Sequence, residues 1–305
     1  MRPGALGGGG LGHPAYYAGW EHLFRLCGPQ NWLMLHAISH RAFGPSRLLE
    51  RVTDEARKRI LEPMNAGTAS MCFGLSEPGA GSDAAALTTR AVPNGDGWKI
   101  SGRKIWTTNA PLAEYCIVFA VTHPALASER NGGISAFLVP TTSSGFEVQR
   151  VVRLFGHIGG DEAELSLDDV FLEPWQLVGE LDHVLEAALY GVSLGRIYNS
   201  ARSVGYGRWA PERTLEYSKI RQAFGHPIAD YQGVTFPLAE SATERHAAHL
   251  MGLNAATLLD DGRPAIKELS MTKAYSVQMG FRAVDRAIQT HGAIGFTNEL
   301  GLYHA

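Results

Sequence analysis

Cysteine and long apolar runs are scarce in this chain. Its 305 residues include three cysteines, Cys27, Cys72 and Cys116, which are far apart and lack the CxxC spacing of a metal site or redox pair. No apolar run approaches the ~18 residues of a membrane span, and the N-terminus MRPGALGGGGLGHP lacks the apolar segment of a signal peptide. These absences predict a reduced, cytoplasmic protein without a membrane span.

Excess charge is also absent. Lysine and arginine total 27 against 30 aspartates and glutamates, which gives a formal net charge of -3. Such a balance leaves no basic face for nucleic acid or an anionic membrane. The 45% hydrophobic content and the length instead predict a globular chain of two or three domains with a large core.

The spacing of apolar residues changes twice along the chain. Residues 15 to about 63 show helical spacing, whereas residues 69 to 180 contain short β-type runs separated by turns: SMCFGL, GWKISG, YCIVFAVT, ISAFLV and AELSLDDV. Helical spacing returns from about residue 183, with apolar positions such as Phe281, Val284 and Ile288 on one face. Within this part, Pro211 predicts a kink or a helix start.

This pattern predicts an α+β multidomain fold. It consists of a partial helical N-terminal domain over residues 1–68, a central antiparallel β-domain (sandwich or barrel) over 69–180, and an incomplete helical bundle of the four-helix type over 181–305. Gly7, Gly9 and Gly12 satisfy GxGxxG, but no strand precedes them, so a dinucleotide-binding fold is rejected.

Histidine pairs raise the question of a metal site. His36 and His40 stand four residues apart, and His246 and His249 three apart, spacings that can bind zinc from one helix face. Neither pair has a third ligand at a recognisable spacing, so no metal is predicted and solvated or core histidines are the default.

The segment GLSEPGAGSDAAA (residues 74–86) combines a restrained turn with glycines after a β-type run. Glycines there allow successive N–H groups to converge on an anion such as a diphosphate. A plain β-turn explains the local sequence equally well. A second segment, WKISGRKIWTTNA (98–110), sets Trp106 beside Thr107 and Thr108. This indole and its hydroxyl neighbours suit the wall of an aromatic cofactor, although a tryptophan in a β-domain is more often core.

With two further segments, RQAFGHPIADYQ (221–232) and QTHGAIGFTNE (289–299), the chain resembles the acyl-CoA dehydrogenase family of flavoenzymes. The four motifs occur in order over about 230 residues, and the resemblance covers nearly the whole chain from about residue 15.

The resemblance implies FAD as cofactor. It places one set of residues near the flavin, the ribityl chain and the acyl-CoA side of the cofactor: Phe73, Leu75, Ser76, Gly81, Ser82, Trp106, Thr107 and Thr108. It assigns a second set to the FAD of a neighbouring subunit: Arg221, Phe224, Gln232, Gln289, Gly292 and Ala293. A cofactor site shared between chains implies a homo-oligomer, a dimer or a dimer of dimers.

The resemblance also implies a reaction. An acyl-CoA thioester, contacted by Ser82 and Arg196, is oxidised to a trans-enoyl-CoA, as in fatty-acid β-oxidation, and electrons pass to an electron-transfer flavoprotein or similar acceptor. The family's catalytic carboxylate falls beyond Ala305, and the position that carries a glutamate in some members is Gly195 here. No catalytic base is therefore assigned within these residues.

Several departures leave alternatives open. Family members carry about forty more N-terminal residues, so the chain resembles a form truncated at both ends; His157 and Ile158 differ from many relatives, and Ala293 replaces a common glycine. The alternatives are an acyl-CoA oxidase or flavin monooxygenase on the same scaffold, and a non-catalytic chain that binds flavin or partner subunits. Acyl chain length and branching are not predicted.

Overall fold

A computed structural model describes residues 9–29, 46–155 and 162–305. They form two compact units: a β unit, made of residues 9–10 and the described residues between 46 and 191, and a helical unit, made of residues 11–29 and 192–305. The predicted domain boundaries after residues 68 and 180 stay a prediction. Five positions discussed above lie outside the described residues: Gly7, His36, His40, His157 and Ile158.

The described helices are α1 (His13–Cys27), α2 (Ser46–Leu49), α3 (Asp54–Ala56), α4 (Glu62–Ala66), α5 (Pro124–Ser128), α6 (Leu185–Ile220), α7 (Gln232–Asp260) and α8 (Ile266–His291). A π-helical turn, Arg57–Leu61, joins α3 to α4. Within the part of the chain that the structure describes, no helix has both the length and the hydropathy to cross a membrane.

The strands of the β unit are β1 (Met71–Gly74), β2 (Arg90–Asn94), β3 (Gly97–Thr107), β4 (Tyr115–Val121), β5 (Ile134–Pro140), β6 (Phe146–Val152), β7 (Glu162–Leu172) and β8 (Leu177–Val178). The five β-type runs of the sequence correspond to β1, β3, β4, β5 and β7. Strand β6 was missed because only Phe146 of its seven residues is buried, so it lacks an apolar run.

These strands form one sheet in the order β6-β7-β3-β2-β4-β5-β8, with β1 beside β4. Most neighbours are antiparallel, as predicted, but β1 pairs parallel to β4 and a single parallel bridge joins Arg90 to Val121. A turn at Asn94–Gly97 closes the β2–β3 hairpin, where Gly95 has a φ of 63°.

Strand β4 is apolar throughout because both of its faces are buried. Ile117 and Phe119 contact one core, which includes Ile60 from the preceding helical segment. Cys116 and Val118 face a second core that the sheet encloses. A strand covered on both sides reads as a continuous apolar run rather than as an alternating one.

In the helical unit, α6 runs without interruption through Pro211. The expected helix start at this proline is therefore wrong. Trp209 and Ala210, directly before it, are buried in a cluster with Val284 and Ala287 of α8. This packing stabilises the helix at a position where the intrinsic preference opposes it, since tertiary contacts commonly override propensity.

Close helix contacts in this unit depend on glycine. A Cβ at Gly280 of α8 would lie 3.0 Å from the Ser203 carbonyl oxygen of α6. On the predicted apolar face of α8, Val284 is buried and Ile288 packs on the same cluster, whereas Phe281 is 76% exposed. The predicted helical period was thus correct, but Phe281 does not share the packed environment of Val284 and Ile288.

Substitution of Gly252 tests the contact between α1 and α7. A Cβ at this position would overlap the ring of Tyr17, so Gly252→Ala should lower the free energy of unfolding by about 1–3 kcal/mol, the usual cost of overpacking. The measurement is urea denaturation. In the control, Gly233→Ala on the same helix, the new Cβ meets nothing within 4 Å, and we expect no loss of stability. Equal effects of the two substitutions would contradict the packing described.

Candidate functional site

A buried ion pair organises the loop that follows β1. Lys104 of β3 is fully buried and its Nζ donates hydrogen bonds to Glu77 Oε1 at 2.7 Å and to the Leu75 carbonyl oxygen at 3.2 Å. The Glu77 carboxylate also accepts from the Thr88 N–H at 2.6 Å, the Thr88 hydroxyl at 2.8 Å and the Thr89 N–H at 2.9 Å. Both buried charges are thereby satisfied.

The protonation of this pair follows from its surroundings. Burial by itself raises the pKa of Glu77, but the Lys104 ammonium and the donated hydrogen bonds outweigh it and hold the pKa at about 2. Burial lowers the pKa of Lys104, and Glu77 opposes that shift. The pair is therefore ionic at neutral pH.

Main-chain hydrogen bonds complete the loop. Glu77 and Ala80 exchange two N–H···O bonds of 3.0 and 3.1 Å around the Pro78–Gly79 turn, and the Ile105 N–H donates to the Ser76 carbonyl oxygen at 3.0 Å. The last bond brings the residues after β1 next to the end of β3. The segments at residues 74–86 and 98–110 therefore form one surface.

A β-bulge exposes Trp106 on that surface. In the β3–β7 pairing Lys104 is opposite Leu165, but Thr107 is opposite Ala163, so β3 carries one extra residue. Trp106 lies in this bulge with a φ of 59° and is 54% exposed. Bulges re-aim side chains and positive φ is rare outside glycine, so the sheet holds this indole outward. The alternative that Trp106 is a core residue is wrong.

The two threonines after Trp106 differ. Thr108 is exposed, whereas Thr107 is fully buried and its hydroxyl has no hydrogen-bond partner in the described part of the chain. Thr107 therefore lies below the surface on which Trp106 is exposed, and its expected contact with the cofactor stays a prediction. Its place in the core supports the bulge that carries Trp106.

The other expected residues of the β unit line the same loop. Phe73 is half-buried against Phe119, with ring centroids 4.9 Å apart, and Leu75 is buried below the surface. Ser76 is half-buried, and Gly81 and Ser82 are exposed. A Cβ at Gly79 or Gly81 would meet nothing within 4 Å, and neither glycine has a positive φ.

These observations fit a flat, polar-edged cofactor such as FAD. The exposed indole of Trp106 offers an aromatic wall. Neither packing nor backbone conformation requires glycine at positions 79 and 81. The hydroxyls of Ser76, Ser82 and Thr108 make no hydrogen bond to the described residues, which leaves them for a ligand. Open backbone at glycine permits the close approach of a bound group.

The second set of expected residues lies on two exposed segments of the helical unit. Between α6 and α7, β9 (Gln222–Ala223) and β10 (His226–Pro227) form a small hairpin whose turn residue Phe224 is 94% exposed, with a φ of 52°. Arg221 and Gln232, which flank the hairpin, are exposed. Tyr231 supports it by donating to the Ala223 carbonyl oxygen at 3.0 Å.

The other segment follows the end of α8. Gln289, Gly292 and Ala293 are exposed, and Gly292 has a φ of 66°. A residue that the sequence reasoning did not single out, His291, anchors this turn. Its ring is buried, stacks on Tyr217 with centroids 4.4 Å apart, and donates from Nδ1 to the Ala287 carbonyl oxygen at 2.8 Å.

Two further predictions concern the helical unit. Arg196 of α6 is half-buried beside Gly195. His249 Nδ1 lies 2.6 Å from Glu21 Oε2 of α1, so this histidine is engaged in a helix contact, and His246 is exposed. The described residues contain no group of three side chains able to hold a metal ion.

Comparison with known proteins identifies the class of this chain. Residues 72–170 match the family "Acyl-CoA dehydrogenase, middle domain" and residues 185–305 match "Acyl-CoA dehydrogenase, C-terminal domain". The probable acyl-CoA dehydrogenase YngJ of Bacillus subtilis is 37% identical over 98% of this chain and 78% of its own length. The chain therefore belongs to the acyl-CoA dehydrogenase family, as the motifs predicted.

Further comparisons agree. Subunit CarC of the caffeyl-CoA reductase-Etf complex of Acetobacterium woodii is 34% identical, with 97% of this chain and 77% of CarC covered. Butyryl-CoA dehydrogenase of Megasphaera elsdenii has a TM-score of 0.89 at 27% identity, with 99% and 79% of the two chains covered. The structure of PigA with FAD and proline has a TM-score of 0.92 at 26% identity, with 99% and 78% covered. The fold, the oxidoreductase class and FAD as the cofactor are confirmed.

Acidification tests the buried ion pair. The pKa of Glu77 is about 2 in the folded chain and ~4.3 in an unfolded one, so its contribution to stability is complete above about pH 4.3 and is lost as the pH falls toward 2. Glu77→Gln should lower the free energy of unfolding by about 3 kcal/mol at pH 7. Its difference from the unchanged protein should shrink below about pH 4.3 in urea denaturation series.

A control for this series comes from the same loop. Asp83 pairs with Arg130 at 2.6 Å, but both side chains are about half exposed or more, so Asp83→Asn should change stability by less than about 1 kcal/mol. If Glu77→Gln lowers the free energy of unfolding by the same amount from pH 7 to pH 3, the charge of Glu77 does not stabilise the fold.

Proposed function

We propose that this chain catalyses the FAD-dependent α,β-dehydrogenation of an acyl-CoA thioester to a trans-enoyl-CoA. The observation that carries the proposal is the outward Trp106 indole, held by a bulge beside a loop that a buried ion pair locks in place. Family membership supports the reaction class. Electrons would pass to an external electron-transfer flavoprotein or similar acceptor, and the name of the relative CarC, part of a complex with Etf, supports such a partner.

The residues of the β unit would hold and shield the reacting groups. FAD, when bound, supplies the hydride acceptor for the bond being oxidised. Trp106 would cover one side of the cofactor and exclude water, while the hydroxyls of Ser76 and Thr108 would donate to its polar edge. Ser82, exposed on the adjacent loop, would contact the acyl-CoA. Arg196 of the helical unit is proposed as a substrate contact separately, because the family resemblance gives it that role.

Arg221, Phe224, Gln232, Gln289, Gly292 and Ala293 would contact the FAD of a second copy of the chain. Their exposure supports this assignment: in a single copy the Phe224 ring is 94% exposed, an unfavourable position for an aromatic side chain. The proposal therefore includes a homo-oligomer, a dimer or a dimer of dimers.

The second candidate function is a chain that binds flavin without turnover. Gly195 favours this second candidate. Some family members carry a catalytic glutamate at this position of the helix, whereas glycine has no side chain that could act as a base. An oxidase or monooxygenase on the same scaffold remains the third reading, and reaction of the reduced protein with oxygen separates it from a dehydrogenase.

The visible spectrum tests the proposal first. The purified chain should show a bound flavin band that bleaches on anaerobic addition of one member of a panel of acyl-CoAs. Trp106→Ala should weaken FAD binding by about tenfold through loss of aromatic contact, and Trp106→Phe should restore most of it. A chain without flavin, or a Trp106→Ala variant that binds FAD unchanged, would overturn the proposed site.

Gly195 allows a test for a missing base. A Cβ at this position meets nothing within 4 Å, so a longer side chain fits. If the chain binds FAD and acyl-CoA but lacks a base, Gly195→Glu should raise the rate of flavin bleaching at least about tenfold, since general bases contribute ~100-fold or more. Gly195→Gln, of equal size but unable to accept the proton, is the matched control. Equal rates in both variants would contradict the role of a carboxylate here.

A further inference from the structure

A pocket in the helical unit is lined by two positively charged side chains, Arg196 and Lys273. The family motifs do not account for the presence of both. The pocket is open, has a volume of about 490 Å³ and is lined by Gly195, Arg196, Asn199, Ser270 and Lys273. We call it the α6–α8 pocket. Family resemblance points to Arg196 alone, and nothing in the motifs points to Lys273.

The packing of α6 and α8 explains why these residues meet. The two helices contact at Ser203 and Gly280, where a Cβ on the glycine would lie 3.0 Å from the Ser203 carbonyl oxygen. They contact again farther along, where the rings of Tyr217 and His291 stack with centroids 4.4 Å apart, so they run in the same direction. Arg196 and Lys273 each precede the first contact by about two helical turns and therefore lie side by side.

Neither cation is neutralised by the described residues. Arg282 and Arg286, farther along α8, pair with Glu244 at 3.2 and 3.0 Å. In contrast, Arg196 and Lys273 form no ion pair in the described part of the chain, and no aspartate or glutamate lines their pocket. Two neighbouring cations repel each other, and a bound anion removes that cost.

The remaining lining suits an oxyanion. The Asn199 amide, which makes no hydrogen bond to the described residues, provides two N–H donors. The Ser270 hydroxyl donates to the Ile266 carbonyl oxygen at 2.8 Å, which fixes its orientation on the helix. At Gly195 the absence of a side chain leaves the pocket open, since a Cβ there meets nothing within 4 Å.

We propose that the α6–α8 pocket is a binding site for a phosphate or carboxylate group, with Arg196, Lys273 and Asn199 as its donors. The anion comes either from a free small molecule or from an acidic group on the acyl part of a substrate. The second source rests on the proposed function, whereas the first is independent of it.

Inorganic phosphate is the probe for the site itself. Calorimetric titration of the 305-residue chain with sodium phosphate, against sodium chloride at equal ionic strength, should show saturable binding. Lys273→Ala should weaken that binding by about tenfold or more, as expected for loss of one charge-assisted hydrogen bond, and Lys273→Arg should retain it.

Lys219→Ala is the matched control because it removes the same charge from the far end of α6, where Lys219 pairs with Glu216 at 2.7 Å. It should change phosphate affinity by less than about twofold. Lys273 is exposed, and thermal unfolding of each variant checks that the fold persists. No phosphate binding by the unchanged chain, or equal affinity after Lys273→Ala, would overturn the proposal.

Two acyl-CoA probes distinguish the sources. If the anion belongs to the substrate, the chain binds succinyl-CoA about tenfold or more tightly than butyryl-CoA, and Lys273→Ala removes this preference. If the anion is free, both acyl-CoAs bind alike while phosphate binding still requires Lys273. The phosphate titration needs no flavin, so failure of the proposed dehydrogenation and failure of the anion site give different results.

Discussion

The buried ion pair between Glu77 and Lys104 is the interaction on which the candidate site of the β unit depends. Burying two charges is costly, and here five hydrogen bonds, including the one that joins the pair, satisfy them. The bonds connect the loop after β1, the segment before β2 and strand β3. Ser76 and Trp106, from separate parts of the chain, are therefore held at one surface without a ligand.

The two units use polar groups in opposite ways. In the β unit the buried charges of Glu77 and Lys104 are paired with each other, and the exposed Trp106 lies beside hydroxyls that make no hydrogen bond to the described residues. In the helical unit, Arg282 and Arg286 are paired, whereas Arg196 and Lys273 line an open pocket without a counter-ion in the described residues. The position of these two side chains at one open pocket is the basis of the proposed anion site.

Several features were predictable from the sequence and others were not. The motifs indicated the family, the cofactor and most of the residues around the loop. The burial of Lys104 was not predicted, because a lone lysine in a strand is usually solvated. Lys104 nevertheless lies four residues after Ile100, and both side chains are buried. The burial of Thr107 also escaped prediction, because a bulge shifts the alternation of side chains by one residue.

The sequence by itself determined the class of protein, the alternation of helical and β segments, and the loop whose glycines leave room for a ligand, because these depend on local composition and spacing. Only the tertiary structure decided that Glu77 pairs with Lys104, that α6 continues through Pro211, and that Arg196 stands beside Lys273. Those outcomes depend on contacts between residues far apart in the chain, where burial and packing outweigh local preference.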